Sequence, residues 1–264
     1  MKKFFRPLLL ISMFMISFSC NDDSQSTEND SVSALHSNLS NKAGDCGLVT
    51  EGDDQKWEAI DPVEVAILHN KFLEVAVNTA LQNPGKSDIE ILTSLDIPNV
   101  SSDYMNCIST RISNTSDDEM DKVIMSNLSD DRAVGLYNEI LDDLSGDNKS
   151  FSTISKEMDD TRLKINSLSN QKDRDILLTC LETGLASSKF WLPTELEGDG
   201  VGYHYLSVVN STSKVGGDTR FKKDMRGAGY GMVAWSFSAF LGPVGASGLV
   251  YGAVTGAIGS SFLP

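Results

Sequence analysis

Histidine and cysteine are both scarce in this chain. Histidines stand only at 36, 69 and 204, and cysteines at 20, 46, 107 and 180. There is no CxxC pair and no Cys/His spacing that suits a metal, so zinc-module and dithiol redox chemistry are excluded. No metal site and no cofactor is expected. Basic residues are in short supply, 22 against 37 acidic, which leaves a net charge of −15. Binding to phosphate backbones needs a basic face, so nucleic acid is excluded as a partner. Strand-like alternation is absent, which argues against a β architecture. No aromatic residue lies between Cys20 and Trp57, and no charged side chain follows Arg226.

The first twenty residues, MKKFFRPLLLISMFMISFSC, carry a positive start (Lys2, Lys3, Arg6) and an apolar run from Leu8 to Phe18. That run is too short to span a bilayer and has the length of a signal-peptide h-region. Together with Cys20 it resembles a bacterial lipoprotein signal, although Ser17 stands where such signals favour Leu. The resemblance implies lipidation of Cys20, attachment to the outer membrane and, through the acidic Asn21-Asp22-Asp23, export to the cell surface in the manner of Bacteroidetes lipoproteins. Removal of residues 1–19 would take the net charge from −15 to −18. The Ser-, Asn- and Asp-rich stretch after Cys20 cannot bury enough apolar surface to order itself, and reads as a tether over 20–56.

From 57 to 192 the pattern is helical. Asp61-Pro62 supplies an N-cap with proline in the first turn. Val63, Ile67, Leu68, Phe72, Val75 and Thr79 then recur at three- and four-residue steps, which predicts the buried face of a first helix. Ser87 with Glu90, and Ser116 with Glu119, form two capping boxes. Further apolar spacings run through Ser102–Ser113, Ser129–Leu144, Ser152–Leu168 and Gln171–Phe190. The fold class expected is all-α, a bundle of about six helices with acidic outer faces. Residues 193–226, rich in Gly and Ser, read as a connector that ends in a basic cluster (Lys222, Lys223, Arg226).

The final 38 residues contain nine glycines. Gly248, Gly252, Gly256 and Ser260 repeat every four residues, and Pro243 divides the segment in two. Glycine costs a water-exposed helix about 1 kcal/mol relative to alanine. Close backbone approach along such a stripe offsets that cost. The segment 227–264 therefore predicts a glycine-zipper helical hairpin, packed against a membrane, against itself or a second copy in a homo-oligomer, or against the helical body.

Little else suggests chemistry. His69 reads as a core or boundary histidine, His36 as part of the tether, and His204 as one member of an aromatic patch. Ser211 and Lys214 have SxxK spacing, but in a Gly/Ser setting without the companion motifs of acyl-transfer enzymes. Asp117-Asp118-Glu119 and Asp142-Asp143 read as helix starts and solvated faces rather than calcium loops. The stretch Gly198-Asp199-Gly200-Val201-Gly202 follows no strand, and so is no phosphate loop. Cys107 and Cys180 both fall in predicted helices, either as a pair or as buried free thiols. No catalytic residue is assigned, and an enzyme is not expected.

In layout the chain resembles a group of uncharacterised Bacteroidetes lipoproteins. The likeness rests on the signal, Leu68-His69-Asn70, Ser187-Ser188-Lys189-Phe190-Trp191 and the glycine-zipper end. It implies a lipid-anchored envelope protein, with a non-enzymatic interaction module as its body. The alternative is a bacteriocin-like effector that inserts its hairpin in a membrane.

Overall fold

Polar caps followed by apolar runs of helical length make nearly every ordered segment a helix. The computed structural model describes residues 59–98, 100–146, 148–209, 217–238 and 245–262, without the side chains of 209, 217–219, 234–238, 245–248 and 262. Among the described residues there are ten α-helices and no strand. They are α1 (Pro62–Gln82), α2 (Asp88–Thr93), α3 (Ser102–Ser113), α4 (Asp117–Ser126), α5 (Asp131–Asp143), α6 (Phe151–Asn166), α7 (Gln171–Trp191), α8 (Val201–Val209), α9 (Gly217–Ser238) and α10 (Gly245–Phe262). The chain divides into two compact units, Met1–Leu39 and Ser40–Pro264. The first unit lies outside the described residues, and with it Cys20, Asn21-Asp22-Asp23 and His36. Cys46 and the Ser211–Lys214 motif also lie outside them.

Local hydrogen bonding sets the helix starts. The Asp61 carboxylate accepts from the Val63 N–H at 3.0 Å, with Pro62 in the first turn. At α2 and α4, Ser87 with Glu90 and Ser116 with Glu119 close reciprocal capping boxes. Ser101, Asp130, Ser150 and Asn170 cap α3, α5, α6 and α7. Each cap is worth about 1 kcal/mol.

The face that α1 buries differs from the one its spacing predicts. Of the expected face Phe72 is buried, and Leu68 and Thr79 are half-buried, but Val63, Ile67 and Val75 are 49%, 63% and 46% exposed; Val65, Ala66, His69, Leu73, Ala76, Val77 and Ala80 are buried with Phe72 instead. Small and branched apolar residues surround this helix, so two faces satisfy the same periodicity. The alanine face wins because it lets α1 approach α7 and α10, both of which it touches.

The centre of the molecule is formed by α7, α9 and α10. Helix α9 packs on α10, α7 and α4; α10 packs on α9, α1, α3 and α2. Leu249, Val250, Ala253, Val254, Ala257 and Ile258 of α10 are all buried, and over 249–261 Tyr251 alone is partly exposed. Helices α5, α6 and α8 pack onto α7 from outside. The boundary placed between 226 and 227 does not exist as a break, because α9 runs through it from Gly217 to Ser238. The expected connector 193–226 instead holds a 3₁₀ turn (Thr194–Leu196), α8 and the first half of α9. Its glycines serve close packing: a Cβ on Gly198 would overlap the Leu192 carbonyl, and one on Gly202 would overlap the Trp191 ring. Among the described residues no helix is long and apolar enough to cross a membrane.

Candidate functional site

Four helices bring their polar residues to one buried point. Arg220 and Asp224 lie one turn apart on α9, as do Ser187 and Trp191 on α7, so each pair shares a face. Helix α1 contributes His69 and Asn70, and α10 contributes Ser261. The Asp224 carboxylate is fully buried. It accepts from the Ser187 hydroxyl at 2.5 Å, from the Trp191 indole N–H at 3.0 Å and from the Ser261 hydroxyl. Three donors on one carboxylate offset much of the desolvation that burial imposes. Arg220 supplies the opposite charge nearby. Its guanidinium lies 4.8 Å from the Trp191 ring centre and donates to the Ser261 carbonyl at 2.6 Å. Burial pulls Arg220 below its ordinary value, while Asp224, Tyr205 and Asp88 pull it back up.

His69 completes the cluster. Its Nε2 stands 3.6 Å from the Asp224 carboxylate, and both side chains have zero exposure. Its Nδ1 lies 3.0 Å from Asn70 Oδ1, and the Asn70 amide donates to the Ala186 carbonyl at 2.9 Å. That bond fixes which end of Asn70 accepts, so the proton of neutral His69 is assigned to Nδ1 and Nε2 carries a lone pair. Burial holds the imidazole below its ordinary value, against the pull of Asp224 and of the Asn70 bond.

Serine, histidine and aspartate thus meet, but not in the order that nucleophilic catalysis needs. A hydrolase serine gives its proton to histidine, and aspartate orients that histidine from the far side. Here both serines donate directly to the acid. The arrangement stabilises a buried carboxylate and offers one buried proton acceptor, His69 Nε2. His69, expected in the core or at its boundary, is fully buried, whereas Asp224 was not singled out from the sequence. The stretch Asp218-Thr219-Arg220-Phe221-Lys222-Lys223-Asp224 is charged enough to read as solvated. Its i, i+4 spacing of Arg220 and Asp224 was the available signal.

A second ionic cluster ties α9 to α4. Arg226 meets both oxygens of Asp121, at 2.7 and 3.0 Å, and reaches Asp117 at 3.2 Å. The Tyr137 hydroxyl donates to Asp121 at 2.5 Å. Arg226 is therefore held by the body's own acids, and Asp117 is a partner to it rather than only a helix start. Asp143 likewise accepts from Thr161 at 2.7 Å.

The small-residue stripe forms the contact between α9 and α10. A Cβ on Gly256 would overlap the Gly227 carbonyl and sit 2.9 Å from the Gly231 Cα. One on Gly231 would overlap the Gly252 carbonyl, and one on Gly227 the Ser260 hydroxyl and the Gly256 carbonyl. Gly227 and Gly231, the other half of this contact, have the same four-residue spacing and were missed. Gly248 lies in α10, beyond the described packing. On the opposite side of α9, a Cβ on Gly229 would come 2.7 Å from Cys180 Sγ.

The cysteines do not pair as Cys107 with Cys180. Cys180 is a free, fully buried thiol, pushed up by that burial. Cys107, half-buried on α3, is disulfide-bonded, and its partner lies outside the described residues. His204 and Tyr203 are exposed on α8, whereas Tyr205 is buried. Among the described residues no group of His, Cys, Asp or Glu could hold a metal ion. Compared with family models, with curated proteins and with solved structures, the chain finds no match in any of the three.

Proposed function

We propose that this chain is a lipid-anchored bacterial envelope protein, held at the outer membrane through Cys20, with a helical body that acts as a non-enzymatic interaction module. The disulfide at Cys107 is the observation that carries the reading furthest. Disulfides persist in oxidising compartments, where the signal-like N-terminus would deliver the chain. The buried polar cluster supports a non-enzymatic body. Its serine protons are spent on Asp224, and its imidazole has no exposed surface. The burial of nearly all of 249–261 in α10 supports a hairpin that packs on itself and on the body.

A second reading, the bacteriocin-like effector, draws on one feature. No charge follows Arg226, so the hairpin carries no ionic barrier to entering lipid. It would have to leave the centre of the bundle first.

Expression of the full chain with its own signal, with labelled palmitate, tests the anchor. Label in the membrane fraction, lost in Cys20→Ala, is the expected result; unlabelled wild-type protein in the soluble fraction contradicts it. Dye release from vesicles at neutral pH separates the two readings. The module releases none, and release above buffer favours the effector.

A further inference from the structure

We infer that Tyr104, Arg111 and Tyr230 form a binding site for the carboxylate of a small organic acid, between α3, α9 and α10. The inference goes beyond the envelope reading and does not depend on it. In a chain with 37 acids and 22 bases, a half-buried arginine should find an acid. Among the described residues every arginine but one donates to an oxygen of the chain. Arg111 is the exception. It is half-buried, and its Nε is shut off from solvent with no hydrogen-bond partner. The Tyr230 hydroxyl is also sealed without a partner, on a side chain only 1% exposed. Tyr104 links the two. It stands seven residues before Arg111, two turns along the same edge of α3. Burial raises the Tyr104 hydroxyl above its ordinary value, while the Thr255 hydroxyl and the Arg111 charge pull it back and Tyr230 pushes it further up. All four side chains therefore share one neighbourhood. Helix α10 packs on both α3 and α9 there, and a Cβ on Gly259 would come 3.0 Å from the Ile112 side chain.

The chemistry of these groups selects the occupant. A guanidinium only donates, and a phenol keeps its proton at neutral pH and donates too. A buried donor without a partner costs more than a bond made, so the fitting ligand is one that accepts from several donors at once. One guanidinium matches one negative charge, and its planar fork suits a carboxylate. Neighbouring positions on the same helices are buried and apolar: Met105 and Ile108 on α3, Val254 and Ile258 on α10. They favour a carboxylate with a short hydrocarbon end over a fully hydrated inorganic ion. Tyr104 and Arg111 are half-buried, which places the entrance beside α3, whereas Tyr230 and Thr255 close the inner end.

The test is titration of the full chain with sodium butyrate at neutral pH, read by calorimetry and by the rise in unfolding midpoint. Sodium chloride and butylammonium chloride at equal ionic strength are the controls. Butyrate should bind with a Kd of about 1 mM, as suits so small a probe, and the controls should not. Arg111→Gln and Tyr230→Phe should each weaken butyrate about tenfold. Without butyrate, Tyr230→Phe should be as stable as the wild type or more so, because it deletes a hydroxyl that has no partner. That variant decides the matter if Arg111→Gln does not fold. Absence of binding up to about 50 mM butyrate, by heat and by midpoint alike, overturns the site. So does wild-type affinity in Tyr230→Phe, or a loss of stability in that variant before any butyrate is added. Chloride or butylammonium bound as tightly as butyrate overturns the assignment to a carboxylate.

Discussion

Asp224 is where α1, α7, α9 and α10 meet, and its removal should be felt in all four. Asp224→Ala strips the partner from Ser187, Trp191 and Ser261 at once and removes the acid whose charge acts most on Arg220. A loss of about 3–5 kcal/mol is expected in urea unfolding, the range for breaking a buried charge network from one side. His69 gives a pH signature. Its folded value lies below the ordinary 6.5 because burial disfavours the imidazolium. Above pH 6.5 neither state binds the proton, and His69 adds no pH dependence. As pH falls through that value the unfolded chain takes up a proton that the folded chain declines, so stability is lost toward acid. The slope from this one site is at most about 1.4 kcal/mol per pH unit. His69→Gln should flatten unfolding midpoints between pH 6.5 and 5.5; an unchanged slope would show that His69 is not the group responsible.

Two glycines separate packing from propensity. In Gly256→Ala the new methyl meets the Gly227 backbone, which cannot move without parting α9 from α10. Overpacking of this kind costs about 2–3 kcal/mol. Gly135 on α5 has nothing within 4 Å of its would-be Cβ, so Gly135→Ala should stabilise by about 0.5–1 kcal/mol through helix propensity alone. Urea unfolding of the two variants should move in opposite directions. Helix starts were legible in the sequence because a cap is a local event, written in Ser87 and Glu90 or in Ser116 and Glu119. The buried face of α1 was not. Ala66, Ala76 and Ala80 are inside because a flat alanine surface suits the neighbours, and no spacing within α1 records what those neighbours are. The Asp224 cluster was hidden for a related reason: its partners Ser187 and Ser261 are each 37 positions away.

Over the whole molecule, the all-helical class was legible, but the part played by the last 38 residues was not. A charge-free, glycine-rich end reads as an appendage. Folded, it is the element around which α1, α3, α4 and α7 are arranged. Deletion of 227–264 should therefore leave residues 57–226 without cooperative unfolding, seen as a flat urea transition and lost near-ultraviolet circular dichroism. Hydrogen–deuterium exchange of the full chain at neutral pH, with and without lipid vesicles, reads this arrangement most directly. Amides of 249–261 should be among the slowest in the protein, and vesicles should leave them unchanged. Exchange there as fast as in α6, or rates altered by lipid, would contradict the burial of α10 among the other helices.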